Sequence, residues 1–239
     1  MSSGDRIQRG KEVAGLQAAE RVRSGMILGL GTGSTVAFFL DALGKRLREG
    51  DLGEIVGVPT SERTETRARE LGIPMTSLSS AGELDLTVDG ADEVDPDLNL
   101  VKGMGGALIR EKMVAQATRH LLIIVDEGKL VEKLGTRSPL PVEVLTFGWE
   151  AHRPFLEALG ARPELRLEED GKPFRTDNGN LILDCHFSRG ISDPRGLERS
   201  LSARAGIVGS GLFLGMAREV LVGGEGGVAR RLSKQTEAS

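Results

Sequence analysis

Between Met26 and Leu47 the chain reads "MILGLGTGSTVAFFLDALGKRL", and the period of its apolar residues changes once. Met26–Leu30 is an apolar run of strand length, Gly31–Ser34 is a glycine-rich turn, and Thr35–Arg48 carries Val36, Phe39, Leu40, Leu43 and Leu47 at helical spacing. A wholly apolar strand running straight into an amphipathic helix is the building unit of parallel sheets, because parallel neighbours need a crossover connection and are buried on both faces. The unit recurs. Glu54–Val58 reads as a strand, and Thr60 or Ser61 can cap a helix running to Leu71. Leu84–Val88 is a strand ending at Asp89, and a helix from Gly106 onward places Leu108, Ile109, Met113 and Ala117 on one face. Leu121–Val125 is a further strand, followed by a turn with Asp126, Gly128 and Lys129. Ahead of them, Lys11–Arg23 reads as a helix with Val13, Leu16, Ala19 and Val22 on one side. Strands alternating with helices predict an α/β fold with a parallel sheet covered on both faces. In such sheets functional groups collect at the carboxyl ends of the strands, where Gly31–Ser34, Asp89–Asp92 and Asp126–Lys129 all fall.

The pattern changes after "TRSPLP" (136–141). Val142–Phe147 reads as a strand, Trp149–Leu159 as a helix, Arg162–Leu167 and Leu181–Phe187 as a strand pair around "EEDGKPFRTDNGN", and Asp193 as the cap of a helix to Ala205. That order predicts a small α+β subdomain over 139–206, with 1–138 and 207–239 forming the larger domain. Residues 206–221 read as a strand and a helix returning to the larger domain, and 223–239 as a frayed tail.

Composition narrows the function. Aromatic residues are 3% of the chain with no tyrosine, which disfavours stacking on single-stranded nucleic acid. A net charge of −4 without a basic stripe argues against a nucleic-acid partner in general. The single cysteine, Cys185, allows no intrachain disulfide and no thiolate metal cluster, and fits a reducing cytoplasm. The N-terminus lacks the apolar core of a signal peptide, and the longest aliphatic run, Leu121–Val125, is too short to span a bilayer, so no membrane association is expected. Glycine is the departure from average, with 33 of 239 residues in short clusters that imply tight turns and close backbone approaches.

Three stretches carry possible chemistry. In "GLGTGST" (29–35) glycines let backbone N–H groups converge on an anion at a helix start. A dinucleotide fingerprint fails there: its third glycine would fall at Ser34, and the next strand ends in "GVPT" without the expected acid. There is no Walker lysine. A phosphate-sized anion held by Thr32, Gly33, Ser34 and Thr35 is the favoured reading, beside a turn needed only for packing. "DGADEVDPD" (89–97) can be a solvated loop, a divalent-cation site, or a holder of catalytic carboxylates. Asp89 and Asp92 sit at a strand end, whereas Asp95 and Asp97, beside Pro96, are expected to face solvent. "KGMGGALIREK" (102–112) places Lys102 before a second glycine turn and Glu111 on the following helix. His120, His152 and His186 fall outside these clusters and are expected in structural or surface roles, so a histidine metal site is not expected.

Taken in order, "GLGTGSTV", "VPTSERTE", "DGADEVDPDLNLVKGMGGAL", "REK" and "DEGKL" resemble the type A ribose-5-phosphate isomerases. The resemblance spans residues 11 to about 130 closely and the region after 140 more loosely. It implies the fold shared with glucosamine-6-phosphate deaminases and CoA transferases: a Rossmann-like parallel-sheet domain with a smaller, ferredoxin-like α+β subdomain. It implies reversible conversion of ribose 5-phosphate to ribulose 5-phosphate, in the non-oxidative branch of the pentose phosphate pathway, by a cytoplasmic homodimer or homotetramer without metal or organic cofactor. By position Glu111 matches the family's proton-transfer base, while Asp89, Asp92 and Lys102 match residues around the reacting sugar oxygens. Substrate-binding positions fall on Lys11, Thr32, Gly33, Ser34, Thr35, Asp89, Gly90, Ala91, Asp92, Lys102, Gly103, Met104, Gly105 and Lys129. Met104 stands where glycine or a polar residue is expected in many relatives.

The implied reaction suits these residues. An aldose–ketose isomerase moves a proton between C2 and C1 through an enediolate, which needs one base and donors aimed at the developing oxyanion. Two rivals differ in class. The runner-up enzyme is a related sugar-phosphate isomerase or deaminase, of which the amino-sugar deaminase type is disfavoured by the scarcity of histidine near the site. A non-catalytic sugar-phosphate sensor would usually carry a DNA-binding domain, and no basic helix-turn-helix is evident before residue 25.

Overall fold

A computed structural model describes residues 3–224 and 229–233. In chain order the first elements are α1 (Ser3–Ala19), β1 (Ile27–Leu30), α2 (Ser34–Glu49), β2 (Val56–Pro59), α3 (Glu62–Glu70), α4 (Leu78–Ala81), β3 (Leu86–Asp89), β4 (Glu93–Val94), β5 (Leu100–Val101), α5 (Leu108–Gln116) and β6 (Leu121–Asp126). They are followed by β7 (Leu140–Val144), α6 (Arg153–Ala158), β8 (Arg162–Leu165), β9 (Leu181–His186), α7 (Pro194–Ser202), β10 (Ile207–Ser210), β11 (Leu212–Phe213), β12 (Glu219–Gly223) and β13 (Ala229–Ser233). The chain divides into two compact units: one comprises the residues up to Ala91, Arg110–Leu130, and Gly215 onward; the other comprises Asp92–Ile109 and Val131–Leu214.

The first unit is built on a six-stranded sheet ordered β13-β12-β6-β3-β1-β2. The five strands from β12 to β2 run parallel, and β13 closes the edge antiparallel to β12. Its core gathers Leu28 and Leu30 of β1, Val36, Phe39 and Leu43 of α2, Val88 of β3 and Ile124 of β6. All six residues of β6 are buried, as a central parallel strand requires. α1 presents Val13, Ala14, Ala18 and Ala19 to the core and leaves Leu16, of the expected face, 45% exposed. The face is set by a close crossing with α2, where a methyl group on Gly15 would lie 2.7 Å from Phe38 Cβ. On α5 the expected inner residue Met113 is likewise exposed, while Leu108 and Val114 are buried.

The second unit holds two sheets. Its β7-α6-β8-β9-α7-β10 order, with an antiparallel sheet arranged β10-β7-β9-β8, is the ferredoxin-like pattern. Leu140, Val142 and Val144 of β7 and Leu183 of β9 meet Leu156 of α6 and Leu197 and Leu201 of α7 in one core. The smaller sheet, β11-β5-β4, is antiparallel throughout.

Three expectations need revision. Residues 206–221 form no helix: β10 completes the ferredoxin-like sheet, β11 pairs with β5, and Glu219–Gly223 is a buried strand beside β6. The tail expected to fray includes β13, whose Ala229–Ser233 pair with β12; residues 225–228 and 234–239 lie outside the described residues. Segments 92–109, 131–138 and 207–214, expected in the larger domain, belong by compactness to the second unit, because β4, β5, β10 and β11 find their strand partners there. Among the described residues no helix is long and apolar enough to cross a membrane.

Candidate active site

The first unit collects its polar groups at the carboxyl ends of its parallel strands. β1 ends at Leu30, and the next turn is tied to β3: Gly31 N donates to Val88 O at 2.9 Å, and Thr32 N donates to Asp89 Oδ1 at 3.0 Å. Gly90 N donates to the same oxygen at 2.7 Å, so two backbone amides fix the buried Asp89 carboxylate. Thr32 Oγ1 lies 2.8 Å from Thr60 Oγ1, 2.8 Å from Ser61 Oγ and 3.1 Å from Thr64 Oγ1. Thr60 and Thr64 donate in turn to the Leu30 and Gly31 carbonyls at 3.0 and 2.8 Å. The Thr32 hydroxyl, expected to bind substrate, is therefore engaged in bracing the turn. "VPTSERTE" supplies the other three hydroxyls, a role that the sequence reading missed beyond capping by Ser61.

Gly33 caps α2 at φ 132° with no side-chain hydrogen bond to the first-turn amides. Gly33 and Ser34 are exposed, and Thr35 is buried. The positive end of a 16-residue helix thus lacks a side-chain cap, the arrangement that favours an anion. A cleft of about 360 Å³ runs beside the turn, with Arg63, a residue not singled out from the sequence, in its lining.

Lys11 and Lys129 are both half-buried in this unit. α1 passes close to the ends of β6 and β12, since a methyl group on Gly10 would lie 2.6 Å from Gly223 O and 3.5 Å from Asp126 Cβ. Asp126 Oδ1 accepts from Gly128 N at 2.9 Å and so caps the 3-10 turn Glu127–Lys129, which carries Lys129. Glu111 occupies the first turn of α5 and is 3% exposed.

In the second unit Asp92 N donates to Val101 O at 2.8 Å, and Asp92 Oδ2 accepts from Met104 N at 3.0 Å. The amide of Met104, an expected substrate-binding position, is therefore held by Asp92, while its side chain is exposed. Lys102 is 2% exposed, its N–H donates to Gly211 O at 2.9 Å, and its Nζ lies 5.4 Å from the Phe213 ring centroid. Gly103 adopts φ 103° and Gly106 φ 81°, conformations that disfavour a side chain, and Gly105 is exposed.

The five carboxylates of the acidic stretch thus separate by role. Asp89 and Asp92 fix backbone at the two glycine turns. Glu93, fully buried, accepts from the backbone amides of Gly135, Arg137 and Ser138. Asp95 accepts from Asn99 N at 2.8 Å and is half-buried, so it holds a turn and is not the solvent-facing residue expected. Asp97 is exposed. Among the described residues no group of three or more His, Cys, Asp or Glu side chains is arranged to hold a metal ion.

The histidines lie apart from these groups. His152 is buried and its Nδ1 accepts from Arg204 Nε at 3.1 Å. His120 and His186 lie 3.6 and 3.3 Å from Glu219 and Glu164. Burial, with Asp184 beside it, pushes the Cys185 thiol up to about 12, which leaves it without nucleophilic character at neutral pH.

A sequence model of ribose 5-phosphate isomerase A (phosphoriboisomerase A) matches residues 56–227. The chain is 56% identical over 218 residues to ribose-5-phosphate isomerase A of Chloroflexus aurantiacus, covering 91% of each protein. It is 53% identical over 216 residues to that of Roseiflexus castenholzii, covering 89% of this chain and 92% of the relative. Among solved structures, a D-ribose-5-phosphate isomerase in complex with phospho-erythronic acid superposes with a TM-score of 0.92 at 39% identity, over 95% of this chain and 99% of that one. The Plasmodium falciparum enzyme gives 0.92 at 38%, over 96% and 100%. Identity of this extent, across nearly the whole chain and with the same fold, places the protein in the ribose 5-phosphate isomerase A family.

Proposed function

We propose that the chain interconverts D-ribose 5-phosphate and D-ribulose 5-phosphate by carboxylate-mediated proton transfer through an enediolate. The observation that carries this reading is family membership over nine-tenths of the chain, with Glu111 retained as a buried carboxylate in the first turn of α5. In this reading Glu111 takes the proton from C2 and returns it to C1, which one base can do because the two carbons are adjacent. Lys102 stabilises the negative charge that develops on the sugar oxygen, where a fixed cation is worth most in a dry setting. Asp89 assists ring opening, and Asp92 keeps the Lys102–Gly105 turn in shape through the Met104 amide. The phosphate is received by the uncapped start of α2 at Gly33–Thr35, with Lys11 and Lys129 as the supporting cations. The setting we propose is a cytoplasmic homodimer or homotetramer, and a monomeric mass by light scattering removes the oligomer from it.

Glu111→Gln tests the central assignment, because it keeps shape and burial and removes the base. The loss of a general base typically costs roughly 10²–10⁴-fold, and here it should appear in kcat more than in KM. The variant should also stop exchanging the substrate C2 hydrogen with deuterated solvent. A folded variant that exchanges this hydrogen at the wild-type rate moves the base elsewhere, with Asp89 next to be tested. Running the assay on EDTA-treated protein tests the expected independence of metal in the same experiment.

A further inference from the structure

Arg166 lies beyond every motif that the sequence singles out, just after β8. Its Nε and Nη2 donate to Asp184 Oδ2 and Oδ1 at 2.8 and 2.5 Å, a two-pronged pairing on the neighbouring strand β9. The remaining prong turns away from Asp184. Nη1 donates to the Gly103 carbonyl at 2.9 Å and to the Met104 carbonyl at 3.1 Å. Both side chains are largely buried, at 10% and 15% exposure. The Phe174 ring lies 5.8 Å from the guanidinium carbon. The same ring fills the space beside Gly106, where a methyl group would lie 2.4 Å from Phe174 Cζ.

The Gly103–Gly106 turn, with three glycines in four residues, has little stiffness of its own, so its shape must be imposed from outside. Asp92 holds it by the Met104 N–H, and Arg166 holds it by two successive carbonyls. An ion pair that served only the ferredoxin-like sheet would need Asp184 and nothing more. The fork of a guanidinium, with donors left over after a carboxylate is satisfied, is what allows one side chain to bind the sheet and the turn at once, and a lysine cannot replace it.

We infer that Arg166, oriented by Asp184, is a positioning residue for the isomerase reaction: it fixes the turn that starts at Lys102 and thereby the placement of the Lys102 ammonium. This rests on the assignment of Lys102 to the reacting sugar oxygens. Arg166 touches no reacting atom in this scheme and acts through the Gly103 and Met104 carbonyls.

The test compares Arg166→Ala, Arg166→Lys and Lys102→Met with the wild type, with guanidinium chloride added at a non-denaturing concentration. Misplacement of a catalytic group by about 1 Å can cost roughly 10²-fold, so kcat of Arg166→Ala should fall by about that factor with KM little changed. Guanidinium should restore part of the kcat of Arg166→Ala and none of that of Lys102→Met. Arg166→Lys should remain impaired, and it decides the matter by its kcat if the alanine variant does not fold. Wild-type kcat in the Arg166 variants, a change confined to KM, or a loss that guanidinium does not reverse overturns the inference, whatever happens to Tm. The parent reading fails separately: a Lys102→Met variant with wild-type kcat removes Lys102 from the chemistry, and a wild type that does not isomerise ribose 5-phosphate removes the function.

Discussion

Gly31 has no room for a methyl group because Asp89 occupies the space. A Cβ there would lie 2.3 Å from Asp89 Oδ1 and 2.6 Å from the Asp89 Cα, so neither a rotamer change nor a small shift of the carboxylate relieves the contact. The glycine is therefore part of how the acid is held, along with the amides of Thr32 and Gly90. Gly31→Ala should displace Asp89 and lower kcat by roughly 10²-fold, the order expected for a misplaced catalytic group. Overpacking at a buried site also typically costs about 1–3 kcal/mol, so a lower urea midpoint should accompany the loss. A variant with normal kcat would show that Asp89 can be moved without consequence and would withdraw it from ring opening.

At the scale of elements, the hydroxyl network joins two helix starts. Ser61 Oγ accepts from Thr64 N at 3.1 Å as the N-cap of α3, and it also meets Thr32 Oγ1 from the turn before α2. Ser61→Ala removes a cap worth about 1 kcal/mol and leaves buried hydroxyls short of a partner, so about 1–2 kcal/mol in all is expected. For a chain of this size that lowers Tm by roughly 2–8 °C, measurable by calorimetry, and an unchanged Tm would mean that the network contributes nothing. The same elements show what a sequence reveals. β1 and β6 were legible because a parallel strand buried on both faces reads as an unbroken apolar run followed by a glycine or an acid. β12 was not, because "REVLVG" begins with charged residues that suit a helix equally well. Its buried Glu219 is paired with Arg21 and Arg231, and Arg21 lies 198 residues away in sequence. β13, with two arginines in five residues, has the charged character of a protected edge and reads as a polar tail. The motifs pointed by their order to Asp89 and Asp92 beside the glycine turns, but not to the Thr60, Ser61 and Thr64 hydroxyls that brace the first of them. Arg166 was not found, because nothing local to it points to a turn 62 residues earlier.

At the scale of the molecule, neither unit is one stretch of chain: the backbone passes between them four times, after Ala91, Ile109, Leu130 and Leu214. A linear reading that cut a subdomain at 139–206 therefore lost β10, the strand that pairs with β7. Stability should also carry a pH signature set by one histidine in the second unit. His152 is buried beside Arg204, and burial first, then the Arg204 charge, lowers its pKa from the ordinary value of 6.5. Arg204 Nε donates to His152 Nδ1, so protonating that nitrogen would break the bond and place two cations together. Because the folded pKa is depressed, the unfolded chain binds this proton more readily, and stability rises with pH between the folded value and about 6.5. Above that window the contribution is flat, and as pH falls through it the folded state loses ground. The urea midpoint should accordingly drop between pH 7 and pH 5.5. His152→Asn, which keeps an acceptor for Arg204 but cannot titrate, should lower stability at pH 7 and flatten the dependence over that interval. An identical pH slope in wild type and variant would show that His152 is not the group being protonated.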